Sequence, residues 1–483
     1  MKSYEKYVSK ENINAIHEAS LKILSTSGVI FEHDGALELL KKSGVRVEDN
    51  IVYFSEADIN KALSTAPSKF EFRLSHNQSA KLGEGAMIRE PIGHPNYYSD
   101  YNGKIHPMTT DFAIRQFLTS ETSSLLDLSE VNYAILNNVQ TNSKKQKIFG
   151  ALAFLMKYAT KPIDTHSAGA EVNGLNEKEV YNYTKEGIDL IKNFKGIDNG
   201  IFVYTTINAL SPLMYHNTAI SQMIAHMDSG QAFGLTTCGM PLLTCPGSLA
   251  GLLSQVNAEI LAGITFSQFY KPGTPVLYAN TSGATDMRTI QLCIGSAEAA
   301  LSIYATAGLA DFYHLPFRTG GALSDAKQLD AQAGAESMLM MQATNDVKPD
   351  YILHYSGCMC SFNAFNCEKF ILDEETSNIA DRLLRGVDIN EKTLAVDQII
   401  KASPSGSFMS GRTPKTYRKD FYLCDLFNKD DPNNWQKNGS KSINETAHDI
   451  IENRIQSYIP PILETDQEKL IAPLLPDALK DLF

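Results

Sequence analysis

From about residue 88 onward the chain repeats one rhythm: a short apolar run, a loop, then a stretch of helical spacing. The runs fall at residues 87–89, 131–135, 162–166, 201–206, 232–237, 275–280, 312–317 and 351–356. Short continuous apolar runs of this kind read as strands buried on both faces. Eight of them, at intervals of about 30 to 45 residues, fit an α/β chain whose strands and helices close as a (β/α)8 TIM barrel, with an open doubly wound sheet as the alternative.

Residues 312–363 show one such unit. The run beginning at Phe312 empties into Arg318, Thr319, Gly320 and Gly321, and the run beginning at Tyr351 ends in His354 and Tyr355. Between them Ser324 and Asp325 offer a hydroxyl and a carboxylate to the open N–H groups of a helix running through Ala333 and Met341. Ligands bind at the carboxyl ends of parallel strands, so Arg318, His354 and Tyr355 stand where a small-molecule site is expected. Other runs end in His166, Thr206, Thr237, Cys238 and Asn280. Each of these has an ordinary capping or core reading, and their shared position says more than any one of them.

The flanks differ in character. Residues 1–86 read as an α+β cap: Ile13, Ile16 and Ile23 recur at helical spacing, residues 46–54 form a hairpin around Asp49 and Asn50, and Ser55-Glu56-Ala57-Asp58 opens a helix. Residues 87–385 hold the barrel. Residues 386–483 are more charged and carry Ala447, Ile450, Ile451 and Ile455 on one helical face. They read as a helical extension packed on the barrel or on a second subunit, which favours a homo-oligomer.

Composition excludes several functions. The chain has 43 basic against 55 acidic residues, a formal charge of −12, and no dense basic tract, so nucleic acid is not an expected partner. No run approaches the length of a membrane span, and the first residues lack the apolar core of a signal peptide. Seven cysteines without paired spacings fit reduced thiols, and a cytoplasmic protein is expected. Gly83-x-Gly85 begins a dinucleotide signature, but Ile88 stands where its third glycine belongs.

Two local groupings carry chemistry. Tyr97, Tyr98 and Tyr101 surround Asp100, the combination that holds a quaternary ammonium by π-faces and a counter-charge. The other reading is a turn in which Asp100 caps the backbone near Asn102-Gly103. Cys358, Cys360 and Cys367, following His354, raise zinc, although their spacing matches no standard knuckle and small cysteines are common in cores.

Over nearly its whole length the chain resembles the trimethylamine methyltransferase (MttB) family. The resemblance rests on Ile16-His17-Glu18-Ala19-Ser20, on Asn257-Ala258-Glu259-Ile260-Leu261-Ala262-Gly263, on Leu315-Pro316-Phe317-Arg318 with its Gly-Gly turn, and on Ser324-Asp325-Ala326-Lys327. It implies an enzyme that passes a methyl group from a methylated amine to the cobalt of a separate corrinoid protein, with no cofactor or metal bound in this subunit. Members acting on trimethylamine carry a pyrrolysine; this chain has standard residues throughout, with Gly320, Gly321 and Ala322 in the loop where its place is sought. The resemblance therefore implies a quaternary amine of the betaine type: glycine betaine, proline betaine, carnitine or butyrobetaine. Under it Asp100 is the counter-charge, Tyr97, Tyr101, Tyr355 and Phe362 are cage members, and Arg318 or His354 meets the substrate carboxylate. Two alternatives stay open: a zinc-dependent thiol methyltransferase using Cys358, Cys360 and His354, and a non-catalytic betaine-binding or corrinoid-docking protein.

Overall fold

The computed structural model describes residues 2–163, 174–402, 404–409, 412–413 and 415–483. Six strands pair in parallel: β1 (Ile88–Arg89), β2 (Thr206–Ala209), β3 (Phe233–Thr237), β4 (Val276–Ala279), β5 (Phe317–Gly320) and β6 (Tyr351–Leu353). Their order is β1-β6-β5-β4-β3-β2, so the first strand pairs with the last. Helices alternate with the later strands, which makes the fold α/β. Beyond β1 the backbone continues to pair: the Asp127 N–H donates to the Arg89 carbonyl at 3.0 Å and the Ser129 N–H to the Pro162 carbonyl at 2.9 Å. Most of the run expected at 162–166, including His166, lies outside the described residues.

The two faces of the sheet differ. Tyr278, Phe317 and Ile352 pack outward against helices. Residues one step out of phase, Ile88, Leu277 and Tyr351, face inward with Tyr204 and with Phe72, Leu74 and Leu82 from the hairpin Phe70–Arg73/Ser79–Leu82. Helix Leu249–Tyr270 is long and apolar enough to cross a membrane, but 83% of its most apolar window is buried in the protein. It packs there with Ile13, Leu24 and Ile59 of the N-terminal region. Helix Glu56–Thr65 opens as the sequence indicates, with the Asp58 N–H on Ser55 Oγ at 3.2 Å and the Ser55 N–H on the Asp58 carboxylate at 2.9 Å.

Three local expectations are corrected. Phe312 and Tyr313 end the helix Ala297–Tyr313 instead of starting a strand; His314, at φ +55°, terminates it, and β5 begins only after Pro316. A helix that is apolar all round carries the same pattern as a buried strand, and only its length separates them. Ser324 and Asp325 do not open the next helix, which is Ala331–Val347 with Asp330 as its cap. Asp325 instead accepts the Ile294 N–H at 2.9 Å and the Gly295 N–H at 3.0 Å, joining two loops. Residues 131–135 run into the 3-10 turn Tyr133–Leu136 instead of forming a strand.

Asp350, just before β6 and 2% exposed, ties the sheet together. Its Oδ1 accepts the N–H groups of Gly83 at 2.7 Å and Gly85 at 2.9 Å, and its Oδ2 accepts that of Phe317, the first residue of β5, at 3.1 Å. Gly83 sits at φ +95°, where an added Cβ would lie 2.3 Å from the Ser68 carbonyl oxygen, so the Gly-x-Gly pair serves this close turn. Asp350→Ala strands these donors, and we expect it to lower stability by about 3 kcal/mol or more, at roughly 1–3 kcal/mol per unsatisfied buried group. The check is the urea unfolding midpoint.

Candidate active site at the carboxyl edge of the sheet

Register decides which side chains meet on the inner face. Arg318 pairs with Ala279 on β4 and with Tyr351 on β6, and Tyr351 pairs with Ile88 on β1. Side chains in one such row share a face, so Arg318 projects inward with Tyr351 and Ile88. It is 1% exposed, and its Nε, Nη1 and Nη2 meet no hydrogen-bond partner among the described residues. Leu235 pairs with Tyr278, which brings Thr236 into the same row, and the Thr236 hydroxyl is also buried without a partner among the described residues. A buried guanidinium needs acceptors, none of which the described residues supply, and the small Ala279 beside it leaves room for one. This row is therefore suited to an anion.

Two residues nearer the carboxyl edge, on the same face as Ile88, stands Glu90, which is 0% exposed. The chain then turns through Gly93, whose N–H donates to Glu130 Oε2 at 2.7 Å. His94 Nε2 lies 3.5 Å from Glu130 Oε1, and the His94 ring stacks on Tyr133 with centroids 3.6 Å apart. From β6, His354 donates its Nδ1–H to the Ile92 carbonyl and tilts against Phe362 at 4.7 Å. A Cβ on Gly93 would lie 3.5 Å from His354 Cε1 and 3.7 Å from Glu130 Oε1, so imidazole and carboxylate converge on this glycine. Gln116 fixes the turn by donating to the Gly93 carbonyl at 3.1 Å. Glu130 thus has His94 beside it and His354 across Gly93, with Tyr133 and Phe362 behind those two rings, an arrangement that can receive a cation.

A buried ion pair sets the loops around this edge. Lys369 Nζ donates to both Asp373 oxygens, at 2.9 and 2.7 Å, and to the Ala322 carbonyl after β5 at 3.0 Å. Asp373 in turn accepts the Gly357 N–H after β6 at 2.7 Å.

The residues picked out by sequence separate into two groups. Arg318 and His354 lie on the inner face and at its edge, with Phe362 against His354. Tyr97 is close by: its strand Tyr97–Ser99 pairs with Ala364–Phe365, and it lines a cleft of about 770 Å³ with Asp325, Lys327, Cys360 and Asn363. Tyr355 points the other way, its hydroxyl 2.5 Å from Ser377 Oγ and the Arg89 guanidinium 5.6 Å from its ring centroid. Burial pushes its hydroxyl up to about 12. Tyr101 rests on His448 at 4.5 Å. Asp100 serves its own turn, accepting the N–H groups of Asn102 and Lys104 at 2.9 Å each and lying 2.8 Å from His106 Nε2. Cys358 and Cys367 are buried, and burial raises their thiols to about 12 and about 11, away from the thiolate form. Among the described residues no three His, Cys, Asp or Glu side chains are arranged to hold a metal ion. Glu90, Glu130, His94 and Tyr133 were not singled out from the sequence. The available signal was a carboxylate directly after the first buried run, followed by Gly93-His94.

Glu130 and its ring neighbours thus stand at the carboxyl edge of the parallel sheet, above the row that holds Arg318. The chain belongs to the trimethylamine methyltransferase (MTTB) family, whose model matches residues 2–473. It is 34% identical to the L-carnitine:corrinoid methyltransferase of Eubacterium limosum and 34% identical to the proline betaine:corrinoid methyltransferase of the same organism, each over 98% of both chains. It is 32% identical to the glycine betaine methyltransferase of Desulfitobacterium hafniense strain Y51, over 95% of this chain and 94% of that one.

Burial alone works against ionising Asp100, but the Lys104 N–H, His106 and the Asn102 N–H outweigh it and hold the carboxyl below its usual range. A lowered folded pKa means that its stabilisation is complete above the unfolded value of about 3.9 and is lost as pH falls through the lower folded one. The thermal unfolding difference between wild type and Asp100→Ala should be present at neutral pH and narrow on acidification below about 4.

Proposed function

We propose that this enzyme demethylates a quaternary amine of the betaine type, with the cobalt(I) of a corrinoid on a separate protein as methyl acceptor. The observation that carries the reading is the stacking of two layers: Glu90, Glu130, His94, Tyr133, His354 and Phe362 at the carboxyl edge, and beneath them Arg318, buried without a hydrogen-bond acceptor among the described residues. A betaine has the matching charges, an ammonium at one end and a carboxylate at the other. The three relatives named above act on substrates of this class by their names.

The chemistry fits the side chains. A quaternary nitrogen has no N–H to donate, so carboxylates and ring faces hold it, while the Arg318 guanidinium takes the carboxylate by charge-assisted hydrogen bonds. The N–methyl bond breaks with its electron pair staying on nitrogen, the carbon bonds to cobalt, and a neutral tertiary amine departs. No proton moves in that step, so the side chains orient the methyl group and exclude water. A closed cage would stabilise the starting cation more than the charge-dispersed transition state, and a partial cage open toward the acceptor serves the rate better.

We further propose that the six-stranded sheet is the larger part of a (β/α)8 barrel spanning residues 87–385. The pairing of residues 127–129 and 162–163 beyond β1 supports closure, with the methyl-accepting protein seated over the carboxyl rim and the cleft beside Tyr97.

The direct test is methylation of a cobalt(I) corrinoid protein, followed by visible absorption, across glycine betaine, proline betaine, carnitine and butyrobetaine. Turnover of at least one betaine is expected, and silence across the panel with a competent acceptor rejects the reading. Glu130→Gln should lower kcat/KM by about 10- to 100-fold, the size of a lost interaction with a charged group, whereas Asp100→Asn should leave it unchanged. Arg318→Met should raise KM for the betaine by about 10- to 100-fold, yet leave the inhibition constant of tetramethylammonium, which has no carboxylate, where it was. Equal losses for both ligands would remove Arg318 from carboxylate recognition.

A further inference from the structure

Helix Cys367–Leu384 starts beside the loop after β6 and runs back to the opposite, amino edge of the sheet. There Leu384, Arg385 and Tyr422 line a groove of about 480 Å³ with Met87 and Lys348, which precede β1 and β6. From this edge the chain makes an excursion. Its helices Glu391–Leu394, Val396–Ala402 and Lys415–Asp420 contain no buried residue. Val387 is 81% exposed, Ile389 72% and Ile400 68%, and Leu394, Val396, Ile399, Phe421 and Leu423 are exposed as well.

The excursion is nevertheless anchored. Arg382 donates to the Asp420 carbonyl at 2.7 Å and to the Gly386 carbonyl at 2.9 Å, and Glu375 accepts the N–H groups of Asp425 at 3.1 Å and Leu426 at 2.9 Å. Lys419 pairs with Asp388 at 3.2 Å, joining the outgoing and returning limbs. This is a fixed arm whose apolar side chains none of the described residues covers.

We propose that the described parts of this arm, residues 386–402 and 415–423, form a dimerisation surface covered by a second copy of the chain about a two-fold axis. Area is the first argument: these apolar side chains offer on the order of 1,000 Å², the scale of the roughly 800 Å² that each partner contributes to a stable interface, and more than a lone protein leaves in water. Charge is the second. The outgoing limb carries Asp388, Glu391 and Asp397 against Lys392 and Lys401, a net negative charge, while the returning limb carries Lys415, Arg418 and Lys419 against Asp420, a net positive one. A two-fold axis lays the acidic limb of one copy along the basic limb of the other, as a self-complementary patch requires. Position is the third: the arm roots at the amino edge, whereas the methyl-accepting protein must approach the carboxyl edge, so the two surfaces do not compete.

Sedimentation equilibrium of the full chain at micromolar concentration should give twice the chain mass. Ile399→Glu/Ile400→Glu should halve that mass while far-UV circular dichroism keeps its native form. Because that variant places charge on an apolar surface, a second pair removes ambiguity. Glu391→Lys/Asp397→Lys and Lys415→Glu/Arg418→Glu, which leave the Asp388–Lys419 pair within each arm intact, should each lose the dimer alone and recover it when mixed. A wild-type monomer, a mass unmoved by these variants, or mixing without recovery overturns the proposal. So does loss of the methyl-accepting partner's binding with the mass unchanged, which would assign the arm to that protein.

Discussion

One carboxylate, that of Asp350, sets the phase of the sheet. By taking the first N–H of β5 and two N–H groups from Gly83 and Gly85, just after the hairpin's second strand, it fixes where β5 and β6 begin relative to one another and to the hairpin beneath them. A slip of one residue in a strand exchanges its faces. With β5 slipped, Arg318 would point into the apolar layer of helices and Thr319 would take its place inside. The hydrogen bonds of Asp350 therefore hold Arg318 on the inner side of the sheet as well as adding stability.

The inner face then orders charge by depth. The guanidinium lies in mid-strand, in a row with Thr236 and Ala279, and the carboxylates Glu90 and Glu130 lie at or beyond the strand ends. Between the Gly-Gly turn after β5 and the loop after β6, the Lys369–Asp373 pair acts as an internal strut. Both its side chains are fully buried, so solvent screens the pair little and the two loops keep a constant separation. The strut thus joins the loop that follows Arg318 and its strand to the loop that follows His354.

Much of this was legible in the chain. The buried runs at 232–237, 275–280 and 351–356 became strands because nothing else accommodates short, continuous β-branched and aromatic segments between helices. Arg318 stood out as a lone charge after an apolar run, a place that reads as the strand's carboxyl end, yet it is the second residue of β5, because the strand starts only at Phe317. The boundary at 312–317 was misread because apolar continuity conceals the change from helix to strand. The loop at Tyr97 illustrates a different limit: three tyrosines and an aspartate occur in both aromatic cages and tight turns, and only the backbone N–H groups that Asp100 accepts separate the two. Glu130 was invisible because its meaning comes from Gly93 and His354, which the sequence places far away.

That distance matters for how the protein reaches its native state. Ile92 and His354, bonded across the edge of the site, are 262 residues apart in the chain, and β1 pairs with β6, the last strand of the sheet. Loop closure of this length is entropically late, and chains dominated by such contacts fold slowly. During synthesis β1 must wait, unpaired on this side, until β6 has emerged, and an unpaired parallel strand invites association with other chains. Folding intermediates can hold most of the helices and several strands while having no site at all, so catalytic competence would appear as the final event of folding, not in proportion to the structure formed.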